Sequence, residues 1–339
     1  MHLLVIRTSS MGDVALTTPV IASVVEQYPE ITITLLTRPA FIPLFQGIQG
    51  LRIFPADFKK RHNGITGIFQ LYSDLKKTDE IDTVIDLHDV IRSKILRWLF
   101  RISGVHVSVI DKGRAEKKAL ITGKNKIQVR HAVERYFDVF ARAGLPAKPV
   151  NGNFIIPSPE AMRKISVIPG ILNIGVAPYA KHALKIWPEE YMVRLLAMIS
   201  QNQNARFWLF GGREDIKKLQ ALNSRVPGSV IVAGNYSLSE ELALMGKLDF
   251  MITMDSANMH MAALVGTKVI SIWGSTDPLA GFGAWDQPDD YSMRIPVDEL
   301  TCRPCSVYGK GKTRNEFACM LRLTPEKVYE RISKLGILQ

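Results

Sequence analysis

Residues 247–278, KLDFMITMDSANMHMAALVGTKVISIWGSTDP, constrain the fold more than any other stretch of the chain. Residues 249–254 form a short apolar run of strand length. Asp255 and Ser256 are small polar residues of the kind that open helices by accepting bonds from unpaired amides. Residues 258–265 are helix-like, and Gly266 stands where a helix end takes a left-handed residue. Residues 268–273 are a second apolar run, closed by the turn Gly274-Ser275-Thr276-Asp277-Pro278. Strand, polar turn, helix and strand make a parallel βαβ unit. Its helix starts at the carboxyl end of the sheet, where α/β folds bind anions, and a nucleotide diphosphate suits that geometry. An ordinary crossover needs the same caps, so Asp255 and Ser256 are either capping residues or ligand contacts. His260 is either a satisfied helix histidine or a further contact.

The rest of the chain repeats this alternation. Before residue 144, strand-like runs lie at 2–7, 31–37, 51–54 and 82–87. Helical periodicity runs from Asp13 to about Gln27 and over 65–76, 90–103 and 131–143. Pro146, Pro149, Pro157, Pro159 and Pro169 then mark a boundary. Beyond it come strands at 172–177, 206–210 and 229–233. Helices are expected with Pro188 as first residue, over 215–226, after the capping box Ser237-x-x-Glu240, and at 325–335. The pattern predicts an α/β protein with two parallel sheets covered by helices. Its expected parts are a domain over residues 1–158, a second over 159–322, and a terminal helical segment, 323–339, packing back toward the first. G-x-G-x-x-G is absent from the first turn, Thr8-Ser9-Ser10-Met11-Gly12-Asp13, which argues against a dinucleotide dehydrogenase.

With 339 residues there is length for two full cores, and 47% hydrophobic with 22% charged residues describes a globular protein. The net charge of +11 favours anionic partners. Neither a nucleic-acid module nor aromatic–basic interleaving is visible, so no nucleic acid is expected. No apolar run is long enough to span a bilayer and no signal peptide is evident, so a cytoplasmic protein is expected. Cys302, Cys305 and Cys319 include a C-x-x-C spacing, but no histidine follows His260; reduced structural thiols are expected and no metal. Residues 91–102 are a basic amphipathic helix, expected to pack an Ile91, Ile95, Trp98, Leu99, Ile102 stripe on the sheet, or else to lie on a membrane. Residues 112–130 are dense in lysine and arginine around Gly113 and Gly123, and read as a loop that is either a solvated surface or a mobile anion-binding segment.

Three motifs together resemble glycosyltransferase family 9, the heptosyltransferases: Ser9-Ser10-Met11-Gly12-Asp13 after the first strand, Lys185-Ile186-Trp187-Pro188, and Asp255-Ser256-Ala257-x-x-His260 with Trp273-Gly274-x-Thr276-Asp277-Pro278. That family usually has Asp-Thr-Gly where this chain has Asp255-Ser256-Ala257, and hydroxyl residues where this chain has Ala180 and Lys181. The resemblance implies a GT-B fold, two Rossmann-like domains facing a cleft, and an inverting, metal-independent transfer of a heptose or related sugar. The donor implied is an ADP-sugar, used as substrate with no cofactor, and the acceptor a phosphorylated glycolipid of the lipopolysaccharide core. It makes Asp13 the base and Lys185 the contact to donor phosphate. Lys181, Glu214, Asp255, Ser256, Ala257, His260 and Thr276 fall on the donor side; Arg92, Arg114, Lys117 and Lys118 are acceptor-side candidates. Peripheral contact with the inner face of the inner membrane fits such an acceptor. A nucleotide-sugar-binding protein without turnover, and a sugar-nucleotide epimerase, are the other expectations on this fold.

Overall fold

The computed structural model describes residues 1–78, 80–312 and 315–338. The first half runs β1 (His2–Ile6), α1 (Met11–Ala15), α2 (Thr18–Gln27), β2 (Thr32–Thr37), β3 (Leu51–Pro55) and α3 (Gly64–Thr78). β4 (Thr83–Asp86), α4 (Ile91–Ile102), β5 (His106–Val109), α5 (Arg114–Ile121) and α6 (Ala132–Arg142) follow. After α7 (Pro159–Lys164) come β6 (Leu172–Ala177), α8 (Glu189–Asn202), β7 (Ala205–Leu209), α9 (Ile216–Arg225) and β8 (Val230–Ile231). The chain ends with α10 (Leu238–Met245), β9 (Phe250–Met254), α11 (Ala257–Leu264), β10 (Lys268–Ile272), β11 (Ser292–Met293), α12 (Ala318–Leu321) and α13 (Pro325–Lys334).

Two units result. The first comprises residues 1–112 and 132–158, the second residues 113–131 and 159 onward. The first holds a parallel sheet ordered β3-β2-β1-β4-β5, the second a parallel sheet ordered β11-β10-β9-β6-β7-β8. Each is a Rossmann-like layering of helices on a parallel sheet, which is why the strands read as nearly unbroken apolar runs. α3 and α4 cover one face of the first sheet: Ile68, Leu71 and Leu75 from one, Leu96 and Phe100 from the other, meet Leu4, Ile6 and Val84. In the second unit Trp187, Leu195, Phe207, Ile252 and Ile270 belong to one continuous core.

Several elements depart from expectation. The helix anticipated from Asp13 to about Gln27 is broken into α1 and α2, because Pro19 at the start of α2 has no N–H to continue the first turn. Pro188 is the residue before α8 rather than its first helical one. Residues 112–130 are not a loop throughout: Arg114–Ile121 is helical, and the segment belongs to the second unit. There Lys117 is buried with its ammonium 4.1 Å from the Phe282 ring centre, and Leu120 packs with Val129 and Ala280. α13 belongs to the second unit too. Val328 and Ile332 enter its core, Arg194 of α8 pairs with Glu326, and the Trp187 indole donates to the Leu323 carbonyl at 2.9 Å. α4 is rotated from the expected stripe: Leu99 is buried, with Ser93, Leu96 and Phe100, and Ile95 is partly buried, but Ile91, Trp98 and Ile102 are exposed. Among the described residues no helix is long and apolar enough to cross a membrane.

Candidate active site

Each sheet reverses its strand order beside its first strand. In the first unit β2 and β3 lie to one side of β1, β4 and β5 to the other; in the second, β7 and β8 flank β6 opposite β9, β10 and β11. Loops leaving the carboxyl ends of the two central strands diverge there and open a crevice, the usual ligand position in such sheets. The residues after β1 and β4, and those after β6 and β9, therefore line a crevice in each unit. Asp13 belongs to the first; Lys181, Lys185, Asp255 and Ser256 belong to the second.

In the first crevice the Asp13 carboxylate is fixed from two directions. Its Oδ2 lies 2.9 Å from Arg7 Nη2 and accepts from Ser10 Oγ at 2.7 Å and Ser10 N at 3.3 Å. Arg7 is buried, and Nη1 donates to the Leu87 carbonyl at 2.5 Å, so the guanidinium ties the end of β1 to the end of β4. The Arg7 guanidinium carbon also lies 5.7 Å from the ring centre of buried Tyr136, whose hydroxyl donates to the Asp13 carbonyl at 3.4 Å. His88 follows β4. Its Nδ1 is 3.1 Å from Thr8 Oγ1 and its Nε2 3.1 Å from Ser9 Oγ. Burial, then the neighbouring Arg7 charge, pushes His88 down to about 4, so it is neutral at physiological pH. Asp86 shapes that turn: Oδ1 accepts from the His88 and Asp89 amides, both at 2.9 Å, and Oδ2 meets Arg97 at 2.7 Å. The result is a carboxylate paired with a permanent cation, with one side of it reaching solvent.

In the second crevice Lys185 sits in a 3₁₀ turn, Ala183–Lys185, and its Nζ lies 2.7 Å from Asp255 Oδ2, both side chains largely buried. Asp255 therefore orients an ammonium and does not cap α11. Ser256 is the residue before that helix, yet its Oγ rests 3.2 Å from Thr253 Oγ1 and makes no capping bond. Gly266, at φ +93°, ends the helix in the left-handed conformation expected of it. The turn carrying Lys185 is anchored by Trp187, fully buried, whose amide lies 3.4 Å from Met254 Sδ. Ser275 Oγ donates to the Leu184 carbonyl at 2.7 Å and ties this turn to the loop after β10. Gly309 has φ +73°, and a Cβ there would come within 2.6 Å of Lys185 Cγ, so a glycine is needed to let the lysine stem pass. The His182 pKa is lowered by burial and then by the charges of Lys185, Lys310 and Lys181, a sign of how much positive charge gathers here.

The turn 274–278 has an internal support that the sequence did not disclose. Asp277 is fully buried between Arg303 and Arg294, each 3.1 Å away, and its Oδ1 accepts from the Leu279 amide at 3.0 Å. Arg303, also fully buried, donates to the carbonyls of Gly274 at 2.9 Å and Thr276 at 3.3 Å, and to that of Ile295. The significant residue of Cys302-Arg303-Pro304-Cys305 is thus the arginine. All three cysteines are free thiols, and burial pushes Cys319 up to about 11. No cluster of histidine, cysteine and carboxylate residues among those described has the arrangement of a metal site.

Of the remaining candidates, Ala257 is the first residue of α11, and His260 lies buried one turn on. Thr276 is buried beneath the surface, and its Oγ1 has no hydrogen-bond partner within the protein. Glu214, in a short 3₁₀ turn after β7, and Lys181 are exposed. On the acceptor side, Arg92 stacks over Phe58 with its guanidinium carbon 4.2 Å from the ring centre in the first unit. Arg114, Lys117 and Lys118 belong to α5 in the second, and the burial of Lys117 takes it out of any solvent-facing role. Arg7, His88, Arg294 and Arg303 were missed. The available signal was position: Arg7 and His88 stand directly after apolar strands, as Asp13 nearly does.

Residues 68–308 match the model of the family described as glycosyltransferase family 9 (heptosyltransferase). A lipopolysaccharide core heptosyltransferase, OpsX, from Haemophilus influenzae is 23% identical, over 99% of this chain and 97% of that protein. Among solved structures, a family 9 glycosyl transferase from Veillonella parvula superposes with a TM-score of 0.78 at 19% identity, covering 99% of this chain and 97% of that one. The E. coli heptosyltransferase WaaC, solved with ADP, superposes at 0.71 with 20% identity over 98% and 99% of the two chains.

Proposed function

The chain belongs to glycosyltransferase family 9, with a GT-B fold of two Rossmann-like domains, and from that premise we propose that it is an inverting, metal-independent heptosyltransferase. It takes the heptose, or a related sugar, of an ADP-sugar and delivers it to a lipopolysaccharide-core acceptor. The observation that carries the donor side is the Lys185–Asp255 pair at 2.7 Å beside the N-terminus of α11. Asp255 uses one of the three N–H donors of the ammonium and aims it. Lys185 and the first amides of α11 then meet a diphosphate, and the positive charge there grows in value as the leaving group gains charge. That a related E. coli enzyme has been solved with ADP supports the choice of nucleotide.

In the transfer an acceptor hydroxyl oxygen attacks the anomeric carbon while the bond from that carbon to the diphosphate oxygen breaks. The bonding pair leaves with ADP, stabilised by Lys185. The hydroxyl proton passes to Asp13, whose carboxylate Arg7 and Ser10 hold in place. Attack opposite the leaving group inverts the anomeric centre. Neutral His88 contributes no charge to this step and holds the Thr8 and Ser9 hydroxyls in place. Lys181, Glu214 and Ala257 complete the donor side, and His260 and Thr276 lie beneath it. Arg92, Arg114 and Lys118 remain the acceptor-side residues, and the whole acts at the inner face of the inner membrane.

A thermal-shift comparison of ADP, GDP and UDP, followed by transfer from the matching sugar nucleotide, tests this reading. ADP alone should raise the melting temperature appreciably, by mass action on the folded state. Stabilisation by UDP or GDP instead would overturn the donor assignment. Binding of ADP-heptose with neither transfer nor hydrolysis would overturn the enzymatic one.

A further inference from the structure

The outer face of α3 and α4 is unusual for a surface that water alone covers. Ile91, Trp98 and Ile102 are 79%, 57% and 64% exposed on α4, and Ile65 and Phe69 are 66% and 49% exposed on α3. Their spacing puts them in two stripes: Ile91, Ile95, Trp98 and Ile102 along one helix, Ile65, Phe69 and Tyr72 along the other. The helices pack side by side on one face of the first sheet, joined where Tyr72 meets Phe100 edge-on at 4.9 Å. Ile91, Trp98 and Ile102 lie on the side of α4 away from its core residues, and Ile65 and Phe69 are likewise exposed on α3, while Ile95 and Tyr72 are partly buried and pack on the core between them.

The charges interleaved with them are of one sign. Residues 91–102 contain four basic residues and no acid. Two of the four turn away, Arg97 to Asp86 and Asp89, and Arg92 to the Phe58 ring. Lys94 and Arg101 remain exposed along one edge of the apolar stripe, with Lys94 a loose 3.8 Å from Asp89. On α3, Lys76 and Lys77 are exposed near its end, and Asp74, its one described acid, is held by both arms of Arg61 at 2.7 Å.

We propose that the outer face of α3 and α4 docks on an anionic lipid bilayer, with Ile91, Trp98, Ile102, Ile65 and Phe69 entering the headgroup boundary and Lys94, Arg101, Lys76 and Lys77 meeting the lipid phosphates. Protein interfaces deplete charge from their centres, and a partner seated here would cover Lys94 and Arg101 beside the apolar contacts with no acid among the described residues of this face to pair them. A second copy of the same face would bring like charges together. A headgroup layer accepts both kinds of side chain, because long basic residues reach outward to phosphates while indole and isoleucine settle inward. The proposal goes beyond the transfer reaction and stands or falls separately from it, since it concerns binding in the absence of any substrate.

Co-sedimentation with vesicles tests it directly. The full chain should bind vesicles of equal parts phosphatidylglycerol and phosphatidylcholine at low salt, and bind pure phosphatidylcholine far less. Each exposed cation contributes about a fivefold change in partitioning to an anionic surface, so Lys94→Gln with Arg101→Gln should weaken binding roughly thirtyfold. Ile91→Ser, Trp98→Ser and Ile102→Ser together should abolish it, with melting temperature unchanged because the three side chains are exposed. Trp98 emission should shift to the blue on the anionic vesicles, and a Trp98→Phe chain should lack that component. Failure to bind at low salt, or binding that both variants retain, overturns the proposal. Loss of a dimer rather than of vesicle binding in the triple serine variant also overturns it, assigning the face to contacts between copies.

Discussion

Removing the Lys185 ammonium should do more harm to nucleotide binding than a single lost contact, because of what it leaves behind. Lys185 and Asp255 lie 2.7 Å apart and largely buried. A charge-assisted hydrogen bond from the ammonium to a diphosphate is worth about 1.5–3 kcal/mol. In Lys185→Met the Asp255 carboxylate loses its cation and faces the same diphosphate. At about 8 Å and an effective dielectric of about 20 that repulsion adds about 2 kcal/mol. The single variant should therefore lose about 3–5 kcal/mol of ADP affinity, a factor of about 10²–10³·⁵. Adding Asp255→Asn removes the repulsion but not the lost bond, so the double variant should recover about 2 kcal/mol. Isothermal titration with ADP on wild type, both singles and the double measures the coupling, with melting curves as the control for folding. An ADP affinity within threefold of wild type in Lys185→Met would refute the phosphate role. A double variant no better than Lys185→Met would refute the positioning role of Asp255.

Asp13→Asn should lower turnover by about 10²–10⁴-fold while leaving ADP affinity unchanged; near-normal turnover in a transfer assay would remove Asp13 as the base. Arg303→Met leaves Asp277 buried with only Arg294 beside it and should cost about 3–5 kcal/mol, read as a fall in urea midpoint. An unchanged midpoint would mean that Asp277 takes up a proton at little cost. His88 makes stability depend on pH: the unfolded chain binds its proton from about 6.5 downward, the folded chain only near 4. Stability should therefore fall by up to about 3 kcal/mol as pH drops through that window, and His88→Gln should flatten the loss. Glu241, which burial pushes up to about 7, has the opposite sign, so the measured quantity is the difference between variant and wild type.

The elements and the family were legible from the chain alone, because both rest on local patterns. Apolar runs of strand length, the Ser237–Glu240 capping box and Gly266 at a helix end act over a few residues, and the structure realises each of them. Motif residues 9–13, 185–188 and 255–278 carried the likeness to family 9 for the same reason. The order of strands was not legible, because right-handed crossovers allow more than one order for the same succession. What the sequence could not supply was anything set by a distant partner. Arg7 reaches Leu87, and His88 reaches Thr8, across 80 residues; Arg303 reaches Gly274 across 29. Such pairs depend on which strands become neighbours, and no periodicity in either partner announces them. The same holds for orientation. The Ile91, Ile95, Trp98, Leu99, Ile102 stripe on α4 was expected against the sheet, yet Leu96 and Phe100 sit with Leu4 and Val84 in that core while Ile91, Trp98 and Ile102 stay exposed. Lys117 gives the converse case: charge density marked it as surface, and the aromatic face of Phe282, far along the chain, buries it.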